Sequence, residues 1–564
     1  MPNNSKSLKI KLAGESGRGV STSAGILIRT AAETGFYASL FKSFPSSVRG
    51  GYSQALITIS TEKIISPVSA FDILFLLDEK YLDHEIHGLR RSGAALIIES
   101  NSKRTDLLKE KGITFYPVPF EKLSPDCGSS LVVRSCLAMG MISFIAGFSL
   151  DLTLSVLEKR FTEKPHSLES CIKALNLGYS WAEKNLNQIR SNITENLSSK
   201  SEKQVIVTGN QAIAMGAVST GCRFFASYPI TPATPIGEYL SKTLPSIGGV
   251  TYQAEDEIAA IGSVVGASFT GARSMTATSG PGLSLMQEFI GYASMAEIPV
   301  VIVDVQRGGP STGMPTKPSQ EDLMAAAFGG HGEGPRIVIA PTSTQDCINT
   351  TIEAFRLAEK YFCPVIILSD STQGLTEETI DNPSLVNFNN MPERPRLPFR
   401  VTGLEHNKNF APSENPEIRT EQVKNRFQKI NDIESENPSL LEWDLEEGKT
   451  QDYDMAISAW GSTVPAVKEA VIALRNQGYR VAAMYPKLLF PLCKSAVIKL
   501  ASMSRIVFVP ELNFTGQYCS LIRMYTGENP VSLTRYSGEP FTPDYLTEMI
   551  LEKLTVQAKT VGNG

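Results

Sequence analysis

Four short stretches in the middle of the chain carry the side chains that could do chemistry. The stretch 228–232 (YPITP) shows a tyrosine and a threonine among prolines, and 255–257 is a run of three acids. The others are the Gly-Pro-Gly of 280–282 and the loop 307–317, which combines an arginine, a lysine and hydroxyl groups. Ligands bind beyond the carboxyl ends of strands in open α/β sheets, and loops of this kind follow apolar, strand-like runs here. Together they predict a cofactor and substrate site.

The prolines of the stretch 225–235 (FASYPITPATP) predict a stiff loop. Proline fixes its own φ and restricts the residue before it. A simple strand-to-helix connection would place Thr234 at the N-cap of a helix and Pro235 at its first position. Holding catalytic groups rigidly is the alternative explanation, and the loop alone does not separate the two.

The acidic run precedes a helix rich in small residues. Acids at a helix N-terminus are stabilised by the helix dipole, which explains one or two of Glu255, Asp256 and Glu257 without any chemistry. Gly262 and Gly266 leave one face of that helix smooth enough for close contact with another backbone.

Apolar runs that alternate with helical segments predict the fold that must position these loops. The expected class is α/β, with several open, mainly parallel sheets and helices on both faces. Polar, serine-rich and proline-rich stretches divide the chain. The expected segments are an α/β domain over 1–190, a linker over 191–203, a second α/β domain over 204–381, an extended connector over 382–451 and a C-terminal α/β domain over 452–564.

Two glycine motifs lie at predicted strand-to-helix turns. The first segment predicts a parallel sheet with crossover helices, and its loop 14–19 (GESGRG) could cradle a phosphate or simply allow tight strand–helix packing. In the second segment, Gly-Pro-Gly at 280–282 is expected to form a turn before the helix 283–297.

Composition excludes several classes of protein. The 564 residues carry a formal net charge of −5, which gives no indication of nucleic acid or an anionic membrane surface as a partner. No apolar run reaches bilayer length, and the start of the chain lacks the apolar core of a signal peptide, so a cytoplasmic location is expected. The eight cysteines include no C-x-x-C pair and the five histidines no metal-ligand spacing, so no metal site is expected on this chain.

The four stretches, read as YPITP, YQAEDEIAAIG, TSGPGLSLMQE and QRGGPSTGMPTKPSQEDL, resemble the α subunit of the 2-oxoacid:ferredoxin oxidoreductases. The first segment is similar to the γ domain of that family through GESGRGV and SVRGGYS, and the C-terminal segment resembles its transketolase C-terminal-like domain. The resemblance covers nearly the whole chain in γ-then-α order. It implies that 204–381 is the domain that binds the pyrimidine of thiamine diphosphate.

The resemblance also implies residue roles. Glu257 would bind N1′ of the aminopyrimidine, with Glu255 as the alternative and Asp256 as a helix-end or interface acid. Thr231 would contact substrate as a second catalytic residue. The other cofactor contacts would be Tyr228, Pro229, Ile230, Ser279, Gly280 and Pro281, and the other substrate contacts Arg307, Ser311, Thr312 and Lys317. Arg49 is a candidate for the phosphates of CoA, although a structural ion pair explains it equally well.

Two expected features are missing from the sequence. The chain contains no Asp-Gly dipeptide, so the Gly-Asp-Gly motif that holds Mg²⁺ and the diphosphate is absent, as are cysteines spaced for a [4Fe–4S] cluster. The resemblance therefore implies a separate β subunit that supplies both, in an α2β2 assembly that reduces ferredoxin.

The implied reaction is CoA-dependent oxidative decarboxylation of a 2-oxoacid, in either direction. Lys317, where broad-range relatives are expected to have arginine, favours 2-oxoglutarate and its second carboxylate. The alternatives are a pyruvate-, branched-chain- or indolepyruvate-type enzyme, a non-catalytic scaffold or regulatory subunit, and a nucleotide-binding protein that uses 14–19.

Overall fold

A computed structural model describes residues 6–45, 50–92, 94–127, 132–161, 165–190, 204–381, 402–448 and 451–561. The chain divides into two compact units, one formed by residues 1–207 with 376–383 and the other by 208–375 with 384–564. In the described residues the strands form three sheets of eight, seven and five strands. The predicted α/β class with open, mainly parallel sheets is confirmed.

The elements of the first unit are β1 (Ser7–Glu15), α1 (Val20–Thr34), β2 (Tyr37–Ser43), β3 (Tyr52–Ser60), β4 (Ile73–Leu76), α2 (Leu82–Ser92), β5 (Ala95–Glu99), α3 (Thr105–Glu110), β6 (Phe115–Val118), α4 (Phe120–Leu123), α5 (Val133–Ala146), α6 (Leu150–Arg160), α7 (Pro165–Asn185), β7 (Val205–Thr208) and, later in the chain, β14 (Glu377–Ile380). Alternate side chains of β1 and β4 point to opposite faces of the sheet. Leu12 and Phe75 join a core with α1, α5 and α7, whereas Leu74 and Leu76 join a second core with α2 and α3. Helices therefore cover both faces, as predicted.

The sheet of the first unit is mixed, which corrects the expectation of a parallel sheet there. Its order is β6-β5-β4-β1-β3-β2-β14-β7. β4, β5 and β6 run parallel to β1, but β3 is antiparallel to both β1 and β2. The reason is local: α1 crosses over from β1 to the parallel β2, and the chain then returns through a hairpin that inserts β3 between them.

The second unit begins with α8 (Gly209–Ser219), β8 (Phe224–Ser227), α9 (Thr234–Thr243), β9 (Val250–Gln253), α10 (Glu257–Phe269), β10 (Ser274–Thr278), α11 (Gly280–Ala296), β11 (Val300–Gln306), α12 (Leu323–Phe328), β12 (Ile337–Ile339), α13 (Thr344–Tyr361), β13 (Pro364–Asp370) and α14 (Ser371–Leu375). Every residue of β11 and of β13 is buried, as expected for central strands of a parallel sheet covered on both faces. The sheet order is β18-β12-β13-β11-β10-β8-β9, parallel except at β18.

The unit continues with α15 (Pro416–Gln428), α16 (Ile433–Glu436), β15 (Leu441–Asp444), β16 (Met455–Ser458), α17 (Val464–Asn476), β17 (Val481–Pro486), β18 (Leu488–Phe490), α18 (Lys494–Met503), β19 (Val507–Glu511), α19 (Gln517–Thr526), β20 (Val531–Thr534) and α20 (Pro543–Val561). The five-stranded sheet has the order β15-β17-β16-β19-β20. The segment expected as an extended connector is therefore partly folded: it contains α15, and its strand β15 pairs antiparallel with β17. The expected linker 191–203 and residues 382–401 of the connector lie outside the described residues.

Candidate active site

The four chemically interesting stretches meet at one edge of the seven-stranded sheet. β11, β10, β8 and β9 are consecutive, parallel neighbours in that sheet, so their carboxyl ends lie side by side. The loops and helix starts that follow these strands carry YPITP, the three acids, the Gly-Pro-Gly motif and the loop 307–317. The sheet order explains why motifs that are separated in the sequence come together.

The YPITP loop is held by hydrogen bonds at its carbonyl groups. The carbonyl oxygen of Ile230 accepts from the backbone N–H of Ala233 at 2.8 Å, and that of Pro232 accepts from the Asn210 amide at 2.9 Å. Arg307 Nη1 donates to the carbonyl oxygen of Thr231 at 2.7 Å. The backbone is therefore fixed from two sides and reaches across to the loop that follows β11.

The side chains of this loop face outward. Tyr228, Pro229 and Thr231 are exposed, and Ile230 is half-buried. The predicted cap of the next helix is wrong by one residue, because α9 begins at Thr234 itself with Ala233 before it. The Thr234 hydroxyl donates to the carbonyl oxygen of Ile230 at 3.1 Å, so it continues the turn and cannot cap the helix.

The three acids take three different positions. Glu255 is exposed, whereas Asp256 is the N-cap of α10 and accepts from the Ala259 N–H at 2.7 Å. Glu257 is the first residue of α10, and its side chain is buried at 7% exposure. Since Asp256 already caps the helix, the burial of the Glu257 carboxylate serves no capping function.

Gly280 and Gly282 belong to the first turn of α11, which corrects the expectation of a Gly-Pro-Gly turn before the helix. A Cβ atom on Gly282 would lie 1.9 Å from Thr278 Oγ1 and 2.6 Å from Glu257 Cγ. A Cβ atom on Gly280 would lie 2.7 Å from Asp322 Oδ2. Glycine is needed at both positions because Thr278 and Glu257 occupy the space at 282 and Asp322 occupies the space at 280.

Asp304 and Asp322 form a pair of interacting carboxyl groups, the first fully buried and the second half-buried, that sequence reasoning missed. Asp304 lies near the end of β11 and is fully buried, and Asp322 immediately precedes α12. Burial, together with the neighbouring Asp322, holds the pKa of Asp304 well above its usual range. Burial raises the pKa of Asp322 to about 6. The sequence did contain a signal. Asp304 is an acid within the otherwise apolar run 300–305 (VVIVDV), and the pattern of a buried strand does not explain a charged residue there.

Arg307 lies between the acids and the YPITP loop. Burial lowers the pKa of its guanidinium group, while the charges of Asp322 and Glu257 act in the opposite direction. Its Nε atom has no hydrogen-bond partner among the described residues. The guanidinium is thus fixed at Nη1 by Thr231 and keeps a donor for a ligand.

The loop 308–317 folds back on itself. The Met314 N–H donates to the Gly308 carbonyl oxygen at 2.8 Å, and Gly309 N–H donates to Glu321 Oε2 at 2.8 Å. Ser311 and Thr312 are exposed at the tip, with Ser311 at a φ of 56°. These two predicted substrate residues are available on the surface of the unit.

Lys317 is already paired in the structure. Its ammonium group donates to Glu539 Oε1 at 2.6 Å, and Glu539 follows β20 of the C-terminal sheet. The two side chains are 21% and 37% exposed. The resemblance implied that Lys317 contacts the substrate. No feature of the sequence indicated that Lys317 pairs with Glu539, which lies 222 residues further along the chain.

Comparison with known proteins agrees with this geometry. The family model described as "Pyruvate flavodoxin/ferredoxin oxidoreductase, thiamine diP-bdg" matches residues 215–439. "Pyruvate ferredoxin/flavodoxin oxidoreductase" matches 9–181, and "Pyruvate:ferredoxin oxidoreductase core domain II" matches 454–543. The 2-oxoglutarate synthase subunit KorA of Methanothermobacter marburgensis is 39% identical over 62% of this chain and 99% of its own length. The chain belongs to the 2-oxoacid:ferredoxin oxidoreductase family.

Two longer matches support the membership of the chain in this family. The 2-oxoglutarate oxidoreductase subunit KorA of Mycobacterium tuberculosis is 29% identical over 96% of this chain and 90% of its own length. A solved structure, 2-oxoglutarate:ferredoxin oxidoreductase from Magnetococcus marinus with 2-oxoglutarate, coenzyme A and succinyl-CoA bound, has a TM-score of 0.87 and 33% identity. It covers 98% of this chain and 100% of its own. The resemblance stated from the motifs is confirmed, and the chain is a subunit of a thiamine diphosphate-dependent oxidoreductase.

The residues at the sheet edge fit thiamine diphosphate, the cofactor of this oxidoreductase family. The buried Glu257 carboxylate offers an acceptor to an aminopyrimidine ring. Ser279, which precedes α11, is fully buried, and its hydroxyl has no hydrogen-bond partner among the described residues. A buried polar group without a partner is costly, and a ligand would satisfy it. Gly280 and Pro281 beside it are half-buried.

The glycine loop of the first unit looks structural. A Cβ atom on Gly19 would lie 2.5 Å from Ser135 Oγ, and one on Gly14 would lie 3.2 Å from Leu77 Cβ. Glu15 in this loop pairs with Arg18 and, at 2.7 Å, with Lys80. The close packing of Gly14 and Gly19 and the ion pairs of Glu15 favour the packing explanation over a phosphate site. Arg49, the CoA candidate, lies outside the described residues.

The described residues contain no group of three or more histidine, cysteine or acidic side chains placed to hold a metal ion. All eight cysteines are buried as free thiols. None of the described helices is both long enough and apolar enough to cross a bilayer.

Proposed function

We propose that the chain is the α subunit, with a fused γ domain, of a 2-oxoglutarate:ferredoxin oxidoreductase. It would convert 2-oxoglutarate and CoA to succinyl-CoA and CO2 and pass the electrons to ferredoxin. The observation that carries the substrate is the whole-chain similarity to the Magnetococcus marinus enzyme with 2-oxoglutarate, coenzyme A and succinyl-CoA bound, at a TM-score of 0.87.

Thiamine diphosphate supplies the carbanion chemistry that decarboxylation of a 2-oxoacid requires. The role proposed for Glu257 is to accept a hydrogen bond from N1′ of the aminopyrimidine and to hold a proton there. Ser279 and the first turn of α11 would contact the cofactor, together with Tyr228, Pro229 and Ile230 of the loop after β8. The rigid backbone of that loop supports this assignment, because catalytic groups work best when they are pre-organised.

Arg307 and Thr231 are proposed to bind the 2-oxoacid at its reacting end, with Ser311 and Thr312 nearby. Their support is the bond between Arg307 Nη1 and the Thr231 carbonyl oxygen, which holds the Arg307 side chain beside Thr231, and the unpartnered Arg307 Nε. A guanidinium group offers donors in a fixed fork that matches a carboxylate.

Lys317 is proposed to bind the distal carboxylate of 2-oxoglutarate, which would replace Glu539 as the partner of the ammonium group. The pair Lys317–Glu539 is partly exposed. Pairs of this kind contribute about 0–1 kcal/mol, whereas a hydrogen bond to a charged group in a closed site contributes about 1.5–3 kcal/mol. The substrate carboxylate can therefore displace Glu539 at a small cost.

The missing half of the site is assigned to a β subunit. The chain contains no Asp-Gly dipeptide and no C-x-x-C pair. We infer that a partner chain holds Mg²⁺ with the diphosphate and carries a [4Fe–4S] cluster, in an α2β2 assembly in the cytoplasm.

The test is an assay of the chain co-expressed with its candidate β subunit. The rate of CoA-dependent viologen reduction would be measured with 2-oxoglutarate, pyruvate, 2-oxoisovalerate and indolepyruvate. We expect the highest kcat/KM for 2-oxoglutarate. A preference for any other acid would reassign the substrate, and a folded complex without turnover of any acid would favour the scaffold alternative.

A further inference from the structure

The Asp304–Asp322 pair lies directly behind the proposed active site. Asp304 is fully buried near the carboxyl end of β11, and neither of its carboxyl oxygens meets a hydrogen-bond donor on any other described side chain or backbone group. The backbone N–H of Asp322 donates to Gln306 Oε1 at 3.1 Å, which fixes the start of α12 against β11. Asp322 Oδ2 is likewise buried without a donor, and Asp322 is the acid that acts on Asp304.

Two carboxylates cannot both ionise in such a site. Like charges at close range in a buried environment raise the pKa of one group strongly, so that one proton is shared. Here burial raises the pKa of both groups, and the hydrogen bond between them raises that of Asp304 and lowers that of Asp322. The asymmetry means that Asp304 carries the proton and Asp322 accepts it.

Three further charged groups act on the pair or on Arg307. Glu321 raises the pKa of Asp322 and Arg307 lowers it, while Glu257, like Asp322, raises the pKa of Arg307. Asp322 Oδ2 also lies against Gly280, in the first turn of α11. The ionised Asp322 thus contacts the helix start and balances the charge of Arg307.

We propose that Asp304 stays protonated and donates to Asp322, and that the resulting single negative charge positions Arg307 and the first turn of α11. Asp304 and Asp322 are positioning residues, since they act through Arg307 and Gly280. The catalytic consequence rests on the function proposed above, but the shared proton does not.

The proposal fixes the sign of a pH dependence. Asp322 has a pKa raised to about 6, so its charge is present above that pH and is lost as the pH falls through it. Arg307 then loses the acidic charge that acts on it most strongly. We expect kcat/KM for the 2-oxoacid to fall as the pH drops below about 6, with a larger change in KM than in kcat.

Two isosteric variants, Asp304→Asn and Asp322→Asn, test the proposal in the assembled enzyme. An amide at 304 still donates to Asp322, so Asp304→Asn keeps the acid limb of the pH profile. Asp322→Asn removes the charge and lowers kcat/KM roughly 10- to 100-fold, as a small misplacement of a binding group does. It also removes the acid limb.

Infrared difference spectra at neutral pH test the shared proton without any turnover. Wild-type protein minus Asp304→Asn should show the C=O stretch of a protonated carboxyl group, and Asp322→Asn should retain that band. Absence of the band in the first difference spectrum would overturn the proposal, whatever the enzyme's substrate. Equal pH profiles for Asp322→Asn and the wild type would overturn the positioning role. An enzyme that fails to turn over 2-oxoglutarate but shows the band refutes the proposed function and leaves the pair intact.

Discussion

Replacing Glu257 by glutamine separates its proposed chemical role from its structural one. The side chain lies at the first position of α10, buried against the first turn of α11. The helix keeps its cap, because Asp256 supplies it through the bond to Ala259. Glutamine has the same shape, so the packing against Gly282 is preserved. The change removes the negative charge and the proton acceptor, and little else.

The two expected costs differ enough to be told apart. Exchanging a charged for a neutral residue at a helix N-terminus costs about 0.3–1 kcal/mol of stability. Losing a proton-transfer partner slows a reaction by about 10²–10⁴-fold, which corresponds to roughly 2.7–5.4 kcal/mol of activation free energy. We therefore expect Glu257→Gln to fold with nearly the wild-type stability and to lose two to four orders of magnitude in rate.

The assay is the exchange of the C2 proton of bound thiamine diphosphate for deuterium, measured in the assembled complex at matched cofactor occupancy. Glu255→Gln is the control, because Glu255 is two residues away and exposed. Slow exchange in the Glu255 variant with normal exchange in the Glu257 variant would move the role by two residues. If neither variant slows exchange, the pyrimidine does not bind at this end of α10.

Three further outcomes are expected. Lys317→Ala should raise KM for 2-oxoglutarate much more than KM for pyruvate. Glu539→Gln should leave KM for 2-oxoglutarate equal or lower, since it removes the competing carboxylate. Equal effects of Lys317→Ala on both acids would place Lys317 outside the distal carboxylate site. Gly282→Ala should destabilise the fold by about 1–3 kcal/mol through overpacking and displace Glu257, whereas Gly291→Ala, later in the same helix and with open space at Cβ, should not lower the melting temperature. Purified alone, the chain should be colourless, lack iron and bind thiamine diphosphate poorly. Absorbance, iron analysis and calorimetry would measure these three properties. An iron–sulfur spectrum from the isolated chain would contradict the two-subunit site.

The sequence predicted elements whose patterns are complete within themselves. β11 and β13 are continuous apolar runs bounded by polar residues, and α1 follows its glycine loop as expected. β9 and β15 were not predicted because both are short and carry polar residues that are not buried, so their pairing depends on a neighbouring strand and not on their own composition. The strand β3 was expected, but its antiparallel direction was not, since strand direction is set by the connection and not by the strand.

The site residues also fall into two groups: local motifs indicated some of them, and contacts between distant elements determine the others. The motifs located Thr231 and Arg307 at strand ends because each lies beside glycine or proline residues that punctuate the sequence, and they located Glu257 because it ends a run of three acids before a helix. The motif QRGGPSTGMPTKPSQEDL contains Asp322 but indicated no role for it, because that role comes from the interaction with Asp304 and the approach to Gly280. The pairing of Lys317 with Glu539 likewise depends on how the C-terminal sheet packs within the same unit. Contacts between elements that are distant in the sequence are set by the fold, so no local pattern reports them.

The order of strands explains why acids converge on the first turn of α11. β10 lies between β11 and β8, so the helix that follows β10 starts in the middle of the site. Glu257 approaches that turn from one side at Gly282, and Asp322 approaches from the other at Gly280. Both anions are stabilised by the positive end of α11, and Arg307 balances them from the next loop. The glycines of the TSGPG motif therefore leave room for two acidic side chains and for the Thr278 hydroxyl at the start of α11.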